Sequence, residues 1–458
     1  MRFAYSLLVL GTLAFLTACR PAPPPPPDLG PPPNILLLLV DCLRADHLSM
    51  NGYARKTTPM IDSLGAESVQ FRHTLSQASW TRPSLPSMLT GLYPSEHGIH
   101  TFDESTEGVV RSPSLAEGVT TVAEALKEVG YRTALIGEQF QLSPRFGLKQ
   151  GFDFYKHRAN DAANIHNNFL RWLDRTDESG QPFFAYLHYL EIHWPYCPPK
   201  ETRGKWSEGL SDIRWCRKWR ELRSDILEGR LELSEGDRES MKARYDEELL
   251  ALDRRLGDLF ATLQERDLWE DTLIILTADH GEEFYEHGSM GHGQSLYREL
   301  IGVPLIVKPP AAWPVAVGGN NETVVEMRAI APTLLEAAGA ESLAVTAQSL
   351  VPLLLGTAQP EEQRTYAVAE AADKVVVRSG PWKMIVSREN DGAELYNLDD
   401  DPWETQNVAR ENREELARLR DYYELWQQNL VNAAAAEMHE VDPETVQGLK
   451  DLGYLGGQ

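Results

Sequence analysis

The chain has 458 residues and a formal net charge of -24, from 44 basic against 68 acidic side chains. So acidic a surface repels nucleic acid and does not favour anionic lipid, and 42% hydrophobic with 9% aromatic residues suits a packed core rather than a disordered chain. A small anionic substrate stays open, because a divalent cation and a few cationic groups invert the potential inside a cleft.

The first nineteen residues read as a targeting signal. Arg2 gives a positive start, residues 6–15 supply a short apolar run, and Leu16-Thr17-Ala18 lead to Cys19. The run is too short to span a bilayer. The ending resembles the bacterial lipobox, which implies cleavage before Cys19 and acylation there; the alternative is an ordinary secretory signal with an incidental cysteine. Lipidation at Cys19 would place the protein in the bacterial cell envelope, facing periplasm or exterior and held only by its lipid anchor. Residues 20–33, with prolines at 23–27 and 31–33, form an extended tether.

Residues 34–40 (NILLLLV) are a continuous apolar run of strand length that stops at Asp41. At residues 78–91, Pro83 suits the first turn of a helix. Ser84 and the free N–H groups of that turn are placed to cradle an anion. Thr81 is expected just before that helix. A helix over 119–129 and a strand over 133–136 follow. Residues 183–190 (FFAYLHYL) form a third apolar run, leading into Glu191-Ile192-His193. Cys197 and Cys216 lie in one polar, Trp-rich stretch, either as a disulfide or as two free thiols. Apolar positions at helical spacing predict a helix over 238–265. Residues 272–278 (TLIILTA) repeat the form of the first strand and end at Asp279-His280, and 303–307 is a further strand.

Strands apolar on both faces and alternating with helices predict an α/β fold: a mostly parallel central sheet covered by helices on both faces. Past residue 358 the texture changes. Strands over 366–377 and 382–387 about Gly380-Pro381, then a helix over 410–432, predict a small C-terminal α+β subdomain. The expected domains are 1–19 signal, 20–33 tether, 34–357 catalytic domain and 358–458 C-terminal subdomain.

In open α/β sheets, ligands bind beyond the carboxyl ends of the strands. Asp41, Asp279 and His280 stand there. An Asp after a strand more often caps the next helix, but two carboxylates and an imidazole at two strand ends make a divalent-metal set. Such a set polarises a phosphoryl or sulfuryl oxygen and activates a bound nucleophile, here the Thr81 hydroxyl. Two carboxylates, an imidazole and an alkoxide suit zinc or manganese better than calcium.

In order along residues 33–408, the chain carries Pro33-Asn34 to Asp41, Arg44-Ala45-Asp46, Gly52-Tyr53, Thr58-Pro59, Leu89-Thr90-Gly91, Tyr93-Pro94 and His97-Gly98. Gly130-Tyr131-Arg132-Thr133, Gly151-Phe152-Asp153, His193-Trp194-Pro195-Tyr196, Asp279-His280-Gly281-Glu282, Val303-Pro304-Leu305 and Glu394-Leu395-Tyr396-Asn397-Leu398 follow. This set resembles the sulfatase family of the alkaline-phosphatase superfamily. The resemblance implies Thr81 as nucleophile and Asp41, Thr81, Asp279 and His280 as metal ligands. It implies His193 in substrate contact and places His292 where the family has a substrate-binding Lys; either imidazole suits protonation of the leaving alcohol, and Arg82 beside Thr81 and Ser84 in the helix turn are further candidates for the substrate anion. The substrate it implies is a small anionic ester, glycan or lipid headgroup.

The sequence also departs from that family. Its nucleophile is a Cys or Ser converted to formylglycine, and a Thr cannot make that aldehyde, so no formylglycine is expected. The usual Arg four positions later is Leu85, the second Asp of an Asp-Asp pair is Cys42, and Gly137-Glu138-Gln139-Phe140 lacks the usual Lys and His. These departures leave three readings. They are a metal-dependent hydrolase of sulfuric or phosphoric esters, a phosphodiesterase or phospho-headgroup transferase of the envelope, and a binding lipoprotein without catalysis. Glu191, His193 and His292 are candidates for a second metal.

Overall fold

In a computed structural model, residues 29–451 are described apart from 101–102, 105–109, 177–179, 212–213, 359–365, 391 and 432–435. Cys19, the signal and most of the tether lie outside the described residues. The strands of the main sheet are β1 (Asn34–Val40), β2 (Val69–Leu75), β3 (Arg132–Gly137), β4 (Phe154–Lys156), β5 (Phe183–Tyr189), β6 (Thr272–Thr277), β7 (Gly302–Lys308) and β8 (Gly319–Glu326). Their order is β8-β2-β7-β6-β1-β5-β3-β4. β1 pairs in parallel with both β5 and β6, and of the eight strands β7 alone runs against the others.

The apolar runs are strands because the sheet is covered twice. Leu36, Leu38 and Val40 enter one core with Ile274 and Leu276, under the helices Pro59–Ala66, Ala162–Thr176 and Glu235–Glu265. Ile35, Leu37 and Leu39 enter the other with Leu273 and Ile275, under Thr81–Thr90, Val122–Glu128 and Ile330–Ala337. Each such side chain contributes about 1.5–3 kcal/mol on leaving water.

The long helix starts three residues before the apolar periodicity does. Ser234 accepts from the Asp237 N–H, and Asp237 answers on the Ser234 N–H, a reciprocal cap that sets the first turn at Glu235. Cys197 and Cys216 are joined as a disulfide.

The C-terminal part is a four-stranded antiparallel meander, Ala367–Glu370, Lys374–Ser379, Trp382–Ser387 and Ala393–Asn397, with the helix Arg413–Gln428 packed on it. The expected strand over 366–377 is two strands, broken where the Ala371 N–H turns back onto the Lys374 carbonyl at 2.9 Å. Its sheet shares a core with the larger part, since Leu75, Leu300 and Ile301 pack with Ala367, Val376 and Ile385. Glu437–Glu440 then pairs antiparallel with Val110–Ser114. No helix of the described residues is long and apolar enough to cross a membrane.

A half-buried ion pair lies where these two parts meet. His287 Nδ1 is 2.7 Å from Glu299 Oε1, and the imidazole stacks on Tyr297. Burial alone lowers the pKa of His287, but the hydrogen bond and charge of Glu299 outweigh it and push it up to about 9. A histidine with a raised folded pKa gives its full stabilisation below its unfolded pKa and loses it as pH rises through the folded one. His287→Gln is therefore expected to destabilise the protein clearly at pH 6 and much less above pH 9. Urea unfolding of both proteins at the two pH values checks this.

Candidate active site

β1 and β6 end side by side, with Leu39 paired to Thr277, so their next residues open on one spot. The Asp41 N–H is held by the Tyr189 carbonyl at 2.9 Å. Cys42 follows with a positive φ of 63°, which turns the chain sharply out of the sheet. Beyond β6, the Gly281 N–H bonds the Leu300 carbonyl at 2.7 Å, and a Cβ on Gly281 would lie 2.0 Å from the Glu299 carbonyl oxygen. Only glycine lets this segment pass so close, and the passage aims Asp279 and His280 at Asp41. Gly281→Ala is expected to displace both side chains, lowering both the melting temperature and kcat/KM, the latter roughly 100-fold. A melting curve with steady-state kinetics measures it.

Thr81 is the first residue of its helix rather than the one before it, with the extended Trp80 as cap. Its Oγ1 lies 3.1 Å from His280 Nε2 and 3.5 Å from Asp41 Oδ2. His280 Nε2 is 3.4 Å from both Asp41 Oδ1 and Asp279 Oδ2. Asp41, Thr81, Asp279 and His280, all expected from the sequence, form one fully buried group. Asp279 Oδ2 has no hydrogen-bond partner among the described residues, and Asp41, Asp279 and His280 offer ligand atoms within 4.8 Å of one another. An orphaned carboxylate oxygen inside such a donor set fits a divalent cation.

The electrostatics follow from burial and crowding. Burial would raise the pKa of Asp41, but the hydrogen bond from His188 and the nearby imidazoles outweigh it and hold the carboxyl well below the usual range. Burial and the Asp41 charge push Asp279 up. His280 is opposed by burial but raised by Asp279 and Asp41. The two buried carboxylates repel each other, which raises the demand for positive charge between them.

His193 and His292 border this group, their rings 4.9 Å apart. His193 Nδ1 is 2.7 Å from the Trp194 carbonyl, so that nitrogen carries the hydrogen and Nε2 presents a lone pair. Burial lowers His193 to about 4 and takes His292 well below its ordinary value. Neutral rings of this kind are poor proton donors, and the proton-transfer role expected of them does not follow from this geometry.

Three expected contacts are spent elsewhere. Arg82 donates to Ser112 Oγ at 2.8 Å and to the Pro113 carbonyl, with its guanidinium 3.8 Å over the Phe146 ring. It packs under the Val110–Ser114 strand and does not join Thr81. The Ser84 hydroxyl meets Ser76 Oγ at 3.0 Å and the Ala78 carbonyl at 3.1 Å, inside its own turn. Glu191 accepts from the Ala162 and Leu190 N–H groups and so caps a helix rather than facing a metal.

Three neighbours were not singled out from the sequence for what they do here. Gln139 Nε2 donates to Asp41 Oδ2 at 2.7 Å. His188 Nε2 reaches the same oxygen at 3.3 Å while Tyr186 Oη holds its Nδ1 at 2.7 Å. Glu282 Oε1 sits 2.9 Å from His292 Nδ1. His188 had a readable signal, a lone polar residue in an apolar strand one position before the carboxyl end.

This sheet, with Thr81 and a carboxylate–imidazole group at the strand ends, defines an ester hydrolase of the alkaline-phosphatase superfamily. Within it the chain belongs to the sulfatase family, whose sulfatase profile matches residues 33–340, and the N-sulphoglucosamine sulphohydrolase C-terminal profile matches 286–429. The chain is 26% identical over 418 residues to the multifunctional alkaline phosphatase superfamily protein PehA of Trinickia caryophylli, covering 72% of this chain and 78% of that one. It is 22% identical to an N-acetylgalactosamine-6-O-sulfatase of Bacteroides thetaiotaomicron, over 84% of this chain and 91% of the relative. The fold matches the phosphonate monoester hydrolase of Agrobacterium radiobacter with a TM-score of 0.70 at 23% identity, covering 86% of this chain and 95% of that one.

Proposed function

We propose that the protein is a metal-dependent hydrolase in which Thr81 is the nucleophile, acting on singly charged phosphorus esters, phosphodiesters or phosphonate monoesters, in preference to sulfate esters. The observation that carries this is Thr81 Oγ1 at the head of its helix, within 3.5 Å of both His280 Nε2 and Asp41 Oδ2. A divalent cation held by Asp41, Thr81, Asp279 and His280 would supply Lewis acidity that lowers the hydroxyl pKa. Thr81 loses its hydroxyl proton to solvent, and its oxygen forms a bond to phosphorus as the ester P–O bond breaks. The departing alcoholate takes a proton from solvent. Water then cleaves the threonyl ester, restoring the hydroxyl and releasing the acid.

The preference for phosphorus rests on the nucleophile, since a threonine works only as an alcohol. The side chains closing on Thr81 are carboxylates and imidazoles rather than lysine or arginine, which suits one negative charge better than two. The N-terminal segment supports export as a lipoprotein of the envelope. An assay of zinc- or manganese-loaded enzyme on matched aryl phosphodiester, phosphonate monoester, phosphate monoester and sulfate tests the order. Fastest turnover of the sulfate overturns it.

A further inference from the structure

We propose that the cavity beside the Cys197–Cys216 disulfide, lined by Arg214, Arg217 and Arg244, holds a remote anionic group of the substrate, a phosphate or carboxylate set apart from the ester at Thr81. This rests on the reading of Thr81 as nucleophile and deepens it, since the substrates become esters that carry a further oxyanion.

The charge of this segment runs against that of the chain. Residues 200–223 carry eight Lys and Arg against four Asp and Glu, in a protein of net charge -24. Elsewhere buried arginines are answered by carboxylates, Arg44 by Asp46 and Glu286 and Arg328 by Glu326. Arg214, Arg217 and Arg244 make no ion pair among the described residues. They line one cavity of about 500 Å³, bounded by Cys216 and by the helix Glu235–Glu265, with no acidic residue in its described lining.

The neighbouring carboxylates are spent. Glu247 accepts from the Trp206 and Ser207 N–H groups at 2.8 Å and from the Ser207 hydroxyl at 3.0 Å, and Asp237 accepts from the Ser211 hydroxyl. Arg244 is half-buried, and its buried Nε has no hydrogen-bond partner among the described residues. Glu248, one turn on, does not neutralise it, because burial pushes that carboxyl well up. Guanidinium groups bind phosphate and carboxylate bidentately, so three of them unanswered around one hollow suit an oxyanion. The disulfide, with Cα atoms 4.8 Å apart, pins the rim, so little ordering is needed on binding.

The helix Trp215–Leu227 joins this cavity to the Thr81 centre. Trp215 and Arg217, in its first turn, line the cavity. Further on, the Trp219 ring meets Trp194 edge to face at 3.7 Å, and Arg223 stands 5.3 Å over the same Trp194 ring. Trp194 Nε1 in turn is 3.4 Å from His292 Nδ1. Arg217 and Arg223 are about 9 Å apart along a helix axis. A ligand with its ester at Thr81 therefore reaches the three arginines with a spacer on the order of 15 Å.

A pair of aryl phosphodiesters tests this, identical except at the far end of a spacer on the second alcohol, which carries a hydroxyl in one and a carboxylate in the other. In metal-loaded wild type the carboxylate-ended ester should have the higher kcat/KM, by roughly tenfold and through KM. In the triple variant Arg214→Gln, Arg217→Gln, Arg244→Gln that ratio should fall to about one. The ratio is insensitive to the amount of active protein, so a partly folded variant does not blur it. Equal kcat/KM for the two esters in wild type, or a preference that survives in the variant, overturns the proposal. So does inorganic phosphate altering turnover of both esters alike in wild type and not in the variant, which makes the cavity a site for a free anion. If neither ester turns over, the Thr81 reading fails instead, and calorimetric binding of the carboxylate-ended ester to wild type against the variant decides the cavity alone.

Discussion

Thr81→Ala is expected to lower kcat by roughly ten-thousandfold or more while leaving the fold in place, the scale seen when a covalent nucleophile is removed. The loss is large because no other hydroxyl stands in for it. Ser84, the nearest alternative along the helix, is turned onto Ser76 and Ala78. The fold survives because the hydroxyl stabilises no helix: Thr81 is the first residue of the turn, and Trp80 occupies the cap. Deleting one hydroxyl and one methyl costs about 1–2 kcal/mol. Thr81→Ser keeps the oxygen and loses one methyl, so it should retain turnover. Steady-state kinetics of the three proteins with metal content measured in parallel makes the comparison. Full activity in the alanine variant would remove Thr81 from the chemistry.

The same logic shows what the sequence made legible. β1, β5 and β6 were readable because strands buried on both faces must be apolar at every position, and a polar residue can follow only where such a strand leaves the core. Asp41, Asp279 and His280 were visible for that reason. Thr81 was placed by its motif, and the helix start shifted by one residue because the extended backbone ends at Trp80, with Thr81 already in the first turn. The rest depended on register and neighbours that no local pattern encodes. Arg82 reads as an anion contact beside the nucleophile until Phe146 and the Pro113 carbonyl, distant in sequence, draw it off. Glu191 reads as a ligand until the helix at Ala162 brings its free N–H to it. Gln139 and His188 converge on Asp41 only because β5 lies next to β1 in the sheet and β3 next to β5.

Asp41→Asn should separate metal binding from folding more sharply than any other change. Asp41 is the point on which Thr81, His280, His188, Gln139 and Cys42 converge, at 2.7–3.5 Å. Asparagine keeps its shape and removes its charge. Repulsion with Asp279 falls, which offsets the lost interactions with His188 and His280, so in chelator the variant should melt close to wild type. Metal reverses the order. An ion at 100 times its Kd stabilises the native protein by about 2.7 kcal/mol, and without the Asp41 carboxylate that gain should largely vanish together with turnover. Melting curves with and without zinc or manganese measure both quantities in one experiment. An asparagine variant that gains as much from metal as wild type would place the ion elsewhere, and the nucleophile would need another source of activation.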